Sequence, residues 1–357
     1  MLSSVIRTRR SDWVLAGIGL VACAAVFALP ITAQTGKAFI VQTNSAGDSV
    51  SLIDPATDRI AAEIPDAEVI HGAAAAPDGS HLYLSNESLQ TMDVVDTRTL
   101  RITKRVPLTG GPNNIAIRKD GRRAYIAITG AQGGIDVMDL VAEEKSKFIR
   151  ILGGVHNPFI TPDSKFVVAG STGGSVATVI DTETERPVWS IHFEGGVRPI
   201  TFETNPDGST KRMFVQITDL HGFAIVDWAQ RKEVGRIKLP DIPVAQRNNE
   251  GIQGAPAHGL LIPDGKTLWS TSKVNSAIYA YSLSDMKYLG EVKVGLVPDW
   301  MTATPDGKKI YVANAHNNTV SVIDPVARKE IIRLKVGQVP KRNITAILPA
   351  LPTTNNQ

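Results

Sequence analysis

Three of the seven histidines share one context. VIHG holds His71, GGVHN holds His156 and APAHG holds His258, each six or seven residues ahead of the Asp in a Pro-Asp-Gly or Pro-Asp-Ser turn. Neutral imidazoles bind zinc or copper well, and three of them around a metal with an open position form a usual catalytic arrangement. Asp299, in VPDW, would then be a fourth ligand or a base. The same histidines have a plainer use, hydrogen bonding to backbone or water, which demands no ligand geometry. Arg198 in GGVRP and Arg342 in VPKRN, with Lys341 beside it, hold the matching point of other segments. Their forked donors suit a carboxylate or phosphate, and equally suit pairing with Asp299 and nearby loop acids. Asn113 and Asn114 in GGPNN, and Trp300 next to Asp299, complete the set.

Residues this far apart meet only if a repeat brings them together, and the chain is built from one. SVSLIDPAT, TMDVVDTRT, IDVMDLVA, ATVIDTET, GFAIVDWAQ, AIYAYSLSD and TVSVIDP end their strands at 54, 96, 139, 181, 227, 282 and 324, in steps of 42, 43, 42, 46, 55 and 42 residues. A second signal runs in phase, with Pro-Asp-Gly or a close relative at 77–79, 119–121, 162–164, 206–208, 263–265 and 305–307. A period near 42 with two strand-turn-strand signals in each predicts radial β-repeats.

In the last unit the reading is strand by strand: Trp300 to Thr304, the turn at 305–307, KKIYVAN, the turn at HNN, TVSVID, then EIIRLKV. Four strands make a propeller blade, with Gly, Asn and Asp where positive φ or local capping is needed. Val320 and Val322 alternate onto one face of TVSVID. Seven units but only six Pro-Asp-Gly signals fit a first unit that starts at its second strand, KAFIVQTN. Its missing inner strand is then NITAILP, residues 343–349, matched to WMTATP at 300–305. The expected fold is all-β, a seven-bladed β-propeller closed by the C-terminal strand, which removes two exposed sheet edges.

The phrases IYVANAHNNTVSVIDP, PDGKKIYVAN and PDGKTLW resemble the YVTN-type β-propeller repeat, within the lactonase-like group of seven-bladed propellers, over about residues 37 to 349. In propellers of this kind the inner strands line a central channel, so the resemblance places His71, Asn113, His156, Arg198, His258, Asp299, Trp300 and Arg342 around its mouth. It is specific for fold and not for function, because such blades carry enzymes, haem-binding domains, surface-layer proteins and scaffolds. Many such repeats carry His before the inner strand with no metal. Two features point to the same face: His221 and His316 lie in turns that open there, and LPDIPVAQRNNEGIQGAPA, with Arg247 and Glu250, is about a dozen residues longer than the other links, as binding-side insertions in repeat arrays often are. His81 and His192 lie in or beside strands, and Trp189, Trp228 and Trp269 read as packing residues.

Composition narrows the partners. Residues 1–33 are basic and then continuously apolar, with Arg7, Arg9 and Arg10 ahead of VLAGIGLVACAAVFALPITA. This is the layout of a secretory signal cleaved after Ala33; an uncleaved anchor and a lipoprotein signal at Cys23 are the competing readings. Residues 34–357 form a single propeller domain. Without the leader's three Arg and one Asp, the 38 basic and 35 acidic residues become 35 and 34, so no charge favours nucleic acid or an anionic membrane. The only cysteine leaves with the leader, and there is no Cys-x-x-Cys-His for covalent haem.

The reading that follows is a periplasmic or secreted propeller that binds a small ligand or a protein partner at the channel mouth and touches a membrane only through its N-terminal segment. One alternative is a metal-dependent hydrolase or lyase using zinc or copper at His71, His156 and His258, an arrangement similar to some propeller lyases. A redox-associated periplasmic propeller is another. The chain shows no nucleophile elbow, phosphate loop or acidic quartet of the calcium-dependent lactonase kind.

Overall fold

The computed structural model describes residues 36–351. The leader at 1–33, its three readings and Cys23 lie outside them. Seven four-stranded antiparallel sheets follow one another around a ring. Six are consecutive in sequence; in the first, the chain's last strand, Pro340–Leu348, pairs with Lys37–Asn44 and completes the blade. Blades are numbered 1 to 7 from that one. The inner strands of blades 2 to 7 are Ile70–Ala75, Pro112–Ile117, Val155–Ile160, Val197–Thr204, Ala257–Leu261 and Pro298–Ala303.

The repeated Asp is explained by the turn it caps. Oδ1 of Asp54, Asp96, Asp139, Asp181 and Asp324 accepts the N–H two residues on, at 2.8–3.0 Å. The turn ends in a residue of positive φ, among them Asp58, Leu100, Glu143, Glu185, Arg231, Met286 and Arg328. A bulge follows between the third and fourth strands of each blade. One short motif thus sets both the turn and the twist of the outer strand.

Blade faces pack on both neighbours. Tyr311, Val320 and Val322 of blade 7 join Ile40 and Ile53 of blade 1, whereas Ile310, Val312 and Ile323 pack with Trp269 and Ile278 of blade 6. Alternation along a strand therefore sends successive side chains to different blades, each contributing about 1.5–3 kcal/mol when fully buried. The outer strands, such as Lys329–Lys335, are mostly exposed.

The closing strand is tied on both sides. Thr345 Oγ1 donates to the Ala303 carbonyl at 2.6 Å, and Asn343 Nδ2 to that of Tyr311 at 3.1 Å. Across the seam between blades 7 and 1, Lys309 Nζ lies 2.6 Å and Tyr311 Oη 2.5 Å from the Asp58 carboxylate. The register corrects the sequence alignment by one residue. Asn343 faces Gln42, and Pro340 faces Asn44 as Pro298 faces Asn314, so Arg342 takes the place of Trp300 and Lys341 that of Asp299. Matching NITA to WMTA on their shared Thr-Ala sets Asn343 beside Trp300, whereas the paired register follows the Val-Pro of VPKRN and VPDW.

Candidate functional site

Each inner strand begins with a bulge. The register shift falls at Ile70/Gly72, Pro112/Ile115, Val155/Asn157, Val197/Ile200, Ala257/Leu260 and Pro298/Trp300, and in blade 1 between the partners of Gln42 and Asn44. The extra residue turns its side chain toward the axis. Around the ring these positions read Lys341, His71, Asn113, His156, Arg198, His258 and Asp299. His258 is thus in phase with the other two histidines despite its shorter spacing to Asp264.

Three of these positions follow strained backbone. Val69, Val297 and Val339 have φ of 51°, 55° and 51° two residues before His71, Asp299 and Lys341. A β-branched residue with positive φ costs on the order of 1–3 kcal/mol and persists only where its surroundings hold it. Here the hold is a hydrogen bond from the turn after the second strand: the N–H groups of Glu87, Ala315 and Ser45 donate to the three valine carbonyls at 2.9–3.1 Å.

Arg342 organises the centre. It is 2% exposed, and its Nη2 donates to Oδ1 of Asn113 and of Asn157, both at 3.2 Å, in blades 3 and 4. Nη1 lies 3.5 Å from Asp299 Oδ2 in blade 7, and the guanidinium sits 4.2 Å above the Trp300 ring. Trp300 in turn stacks on Phe159 of blade 4, with centroids 6.1 Å apart at 12°. One side chain from the last strand thus ties four blades together across the channel. Burial draws its guanidinium down to about 10, which leaves it charged at neutral pH.

Asp299, 3% exposed, is the counter-charge. Lys273 Nζ is 2.5 Å from its Oδ1, and His258 Nδ1 is 3.3 Å from the same oxygen and 3.0 Å from its backbone carbonyl. Burial would raise this carboxyl, but His258, Lys273 and Arg342 hold it well below the ordinary carboxylate range. Burial, with help from Lys273 and Arg342 against Asp299, keeps His258 neutral at physiological pH. His156 is held far down by burial and then by Arg342, His258 and Arg198; its ring meets that of His258 edge-on at 5.7 Å.

The histidines do not assemble into one metal-holding set. His71 faces Glu87, Nδ1 to carboxylate 3.1 Å, while His156 and His258 adjoin one another and His258 is engaged with Asp299. Among the described residues no group of three or more His, Cys, Asp or Glu side chains is placed to hold a metal ion. The described residues give no support to the expected zinc or copper centre at His71, His156 and His258: Glu87 and Asp299 engage two of the three imidazoles.

Arg198 is half-buried and donates to Thr218 Oγ1 at 3.1 Å and to the Gln253 carbonyl at 2.8 Å. Through Gln253 it pins the long loop over blades 5 and 6. Asn248 N–H donates to the Val274 carbonyl at 2.7 Å, and Asp219 N–H to that of Gly254 at 2.9 Å. Gly251, with φ of 67°, passes so close to His316 of blade 7 that a Cβ there would fall 2.1 Å from its Nε2. Arg247 bonds back to Asp241 at 3.0 Å within the loop. His221 bridges to Ser272 Oγ at 2.8 Å, a structural contact.

Lys273, Glu87 and Asn157 were missed in the sequence. A signal for the first two exists. The residue after each second strand reads Ser45, Glu87, Thr129, Thr172, Thr218, Lys273 and Ala315, so two charges stand among small and hydroxyl residues. Glu87 and Thr218 meet the bulge residue of their own blade, and Lys273 meets that of the next.

Fold and site together define a seven-bladed β-propeller whose channel mouth is spanned by a buried, charged network. No known protein-family model matches the chain. A seven-bladed beta-propeller protein of Mycobacterium tuberculosis is 30% identical over 119 residues, a match covering 32% of this chain and only 30% of that protein. Hydrazine synthase subunit beta of Kuenenia stuttgartiensis is 27% identical over 338 residues, covering 70% of this chain and 85% of the subunit. Among solved structures, Kuenenia stuttgartiensis hydrazine synthase superposes with a TM-score of 0.68 at 25% identity, over 80% of this chain and 91% of that one. The periplasmic gluconolactonase of Pseudomonas aeruginosa, at 17% identity, TM-score 0.70, and 88% and 100% coverage, shares the fold alone.

Proposed function

We propose that this is an exported propeller that binds a small molecule at the channel mouth, between Arg342 and the 240–257 loop. One observation carries the reading: three blades direct buried polar side chains to a single guanidinium supplied by a fourth, an arrangement that costs stability unless it is used. Export rests on the basic-then-apolar leader; among the described residues no helix is long and apolar enough to cross a membrane. A thermal-shift screen of small polar metabolites tests the binding. At least one compound should raise the melting temperature of the native protein and leave Trp300→Leu unmoved; shifts that persist in the variant would remove the channel mouth from consideration.

A hydrolytic reading is favoured by one contact, the His258 imidazole held by Asp299 at 3.3 Å, an oriented base without need of a metal. Ring-opening of simple lactones, followed by proton release, tests it through loss of rate in His258→Gln. Assembly with another periplasmic protein is the reading supported by similarity to a hydrazine synthase subunit. Size-exclusion chromatography of the native extract tests it, since elution as a single chain would count against it.

A further inference from the structure

The charges around the channel narrow what such a ligand can be. Two cations are buried at the centre, Lys273 at 4% and Arg342 at 2% exposure, against one carboxylate, Asp299 at 3%. Arg198 adds a third cation, half-buried, whose hydrogen bonds go only to a hydroxyl and a carbonyl, and Lys341 stands at the rim. The remaining acids are peripheral. Glu87 is engaged by His71 with its side chain 39% exposed, and exposed Asp219 makes no ion pair with Arg198 among the described residues, though it and Asp299 both attract that guanidinium. Burying charge without a partner costs several kcal/mol per ion, so a surplus of this sign calls for an anion. A second observation is independent of that count. Among the described residues the Nε of Arg342 is buried and has no hydrogen-bond partner, and Nη1 has only the long contact to Asp299. All three histidines are also held below their ordinary range partly by Arg342, which reports a positive field across the mouth.

We propose that the channel mouth is a receptor for a small oxyanion, a carboxylate or phosphate borne by a compact organic molecule. The inference rests on the binding reading above and adds its chemistry. The anionic group would take forked donors from Arg198 and Arg342. His156 would donate without adding charge, and the half-buried Trp300 would carry the uncharged part of the ligand.

The test is isothermal titration calorimetry at low salt with citrate, succinate and inorganic phosphate, set against neutral glucose and glycerol. At least one anion should bind with a dissociation constant below about 1 mM. Its affinity should drop by about tenfold or more in both Arg342→Gln and Arg198→Gln, and should weaken as salt is added. Whether succinate or phosphate binds more tightly assigns the source of the oxyanion. Arg198 is half-buried and on the rim, so Arg198→Gln decides the matter alone should Arg342→Gln fail to fold. Anion affinity unchanged in Arg198→Gln, or glucose binding as well as succinate, overturns the proposal while leaving the binding site in place. Absence of any compound that shifts the native protein in the thermal screen takes down both.

Discussion

Arg342 Nη2 lies 3.2 Å from Asn157 Oδ1, although 185 residues separate them in sequence and three blades separate them around the ring. The contact makes the polar centre of the channel a product of ring closure. Any change that displaces the last strand removes the central cation from the site.

Replacing Arg342 by Met should cost about 3–5 kcal/mol, because Asn113, Asn157 and Asp299 all lose a buried partner. Asn113→Ala should cost less, about 1.5–3 kcal/mol, the usual worth of one hydrogen bond to a charged group. Urea unfolding of both variants measures the difference, and equal losses would deny Arg342 its central place.

A chain ending after Gly337 should be insoluble or far less stable than Arg342→Met, since it bares the edge of Lys37–Asn44 as well as losing the guanidinium. Melting temperature and soluble yield separate the two effects. A truncated chain as stable as the full one would contradict the observed pairing.

Lys273 and Asp299 should be energetically coupled. Lys273→Met and Asp299→Asn each leave a buried charge short of its partner, 2.5 Å away in the native protein. The double variant should lose less than the two singles together, by about 0.5–3 kcal/mol. Strict additivity in a double-mutant cycle would show the pair to be inert.

Stability should fall on mild acidification. His156 and His258 titrate in the folded protein well below the 6.5 of an unfolded histidine. The unfolded chain therefore binds more protons once the pH drops below about 6.5, and their contribution, complete above that value, is progressively lost beneath it. Asp299, also depressed, contributes above the ordinary carboxylate range and fails only at much lower pH. Denaturation midpoints between pH 7.5 and 5 should decline, with a shallower slope in His156→Asn. A flat profile in the native protein would show that the imidazoles titrate as they do in the unfolded chain, and a rising one that they are already charged.

Mass spectrometry of the protein from its native host should find a mature N-terminus near Gln34. An intact Met1 form recovered from the cytoplasm would refute export.

Turn chemistry made the ring legible in sequence. The Asp that caps the third strand and the Gly or Asn of the neighbouring turns are dictated by backbone geometry, so they recur at fixed spacing. The bulge residues were legible for the same reason: His71, His156, Arg198, His258 and Asp299 are each the second residue of their blade's inner strand. What they touch was harder to see. Lys273 and Glu87 come from turns at the far end of other strands, and the closing strand takes the register of its Val-Pro and not that of its Thr-Ala match to blade 7. The metal reading gained no support at this level, since shared position around a ring fixes direction and leaves pairing to whichever charge lies nearest, as Glu87 does for His71.

The strand made first in the propeller, Lys37–Asn44, waits for a partner made about three hundred residues later, and Gln42 then donates to the carbonyl of Arg342 itself at 2.8 Å. During that wait six blades can stack in order by short-range contacts, while the widest loop closes last. The same event delivers Arg342 to the centre of the channel. A nascent or clipped chain is thus an open arc: the molecule withholds its central charge until the whole ring has been read out and found to fit.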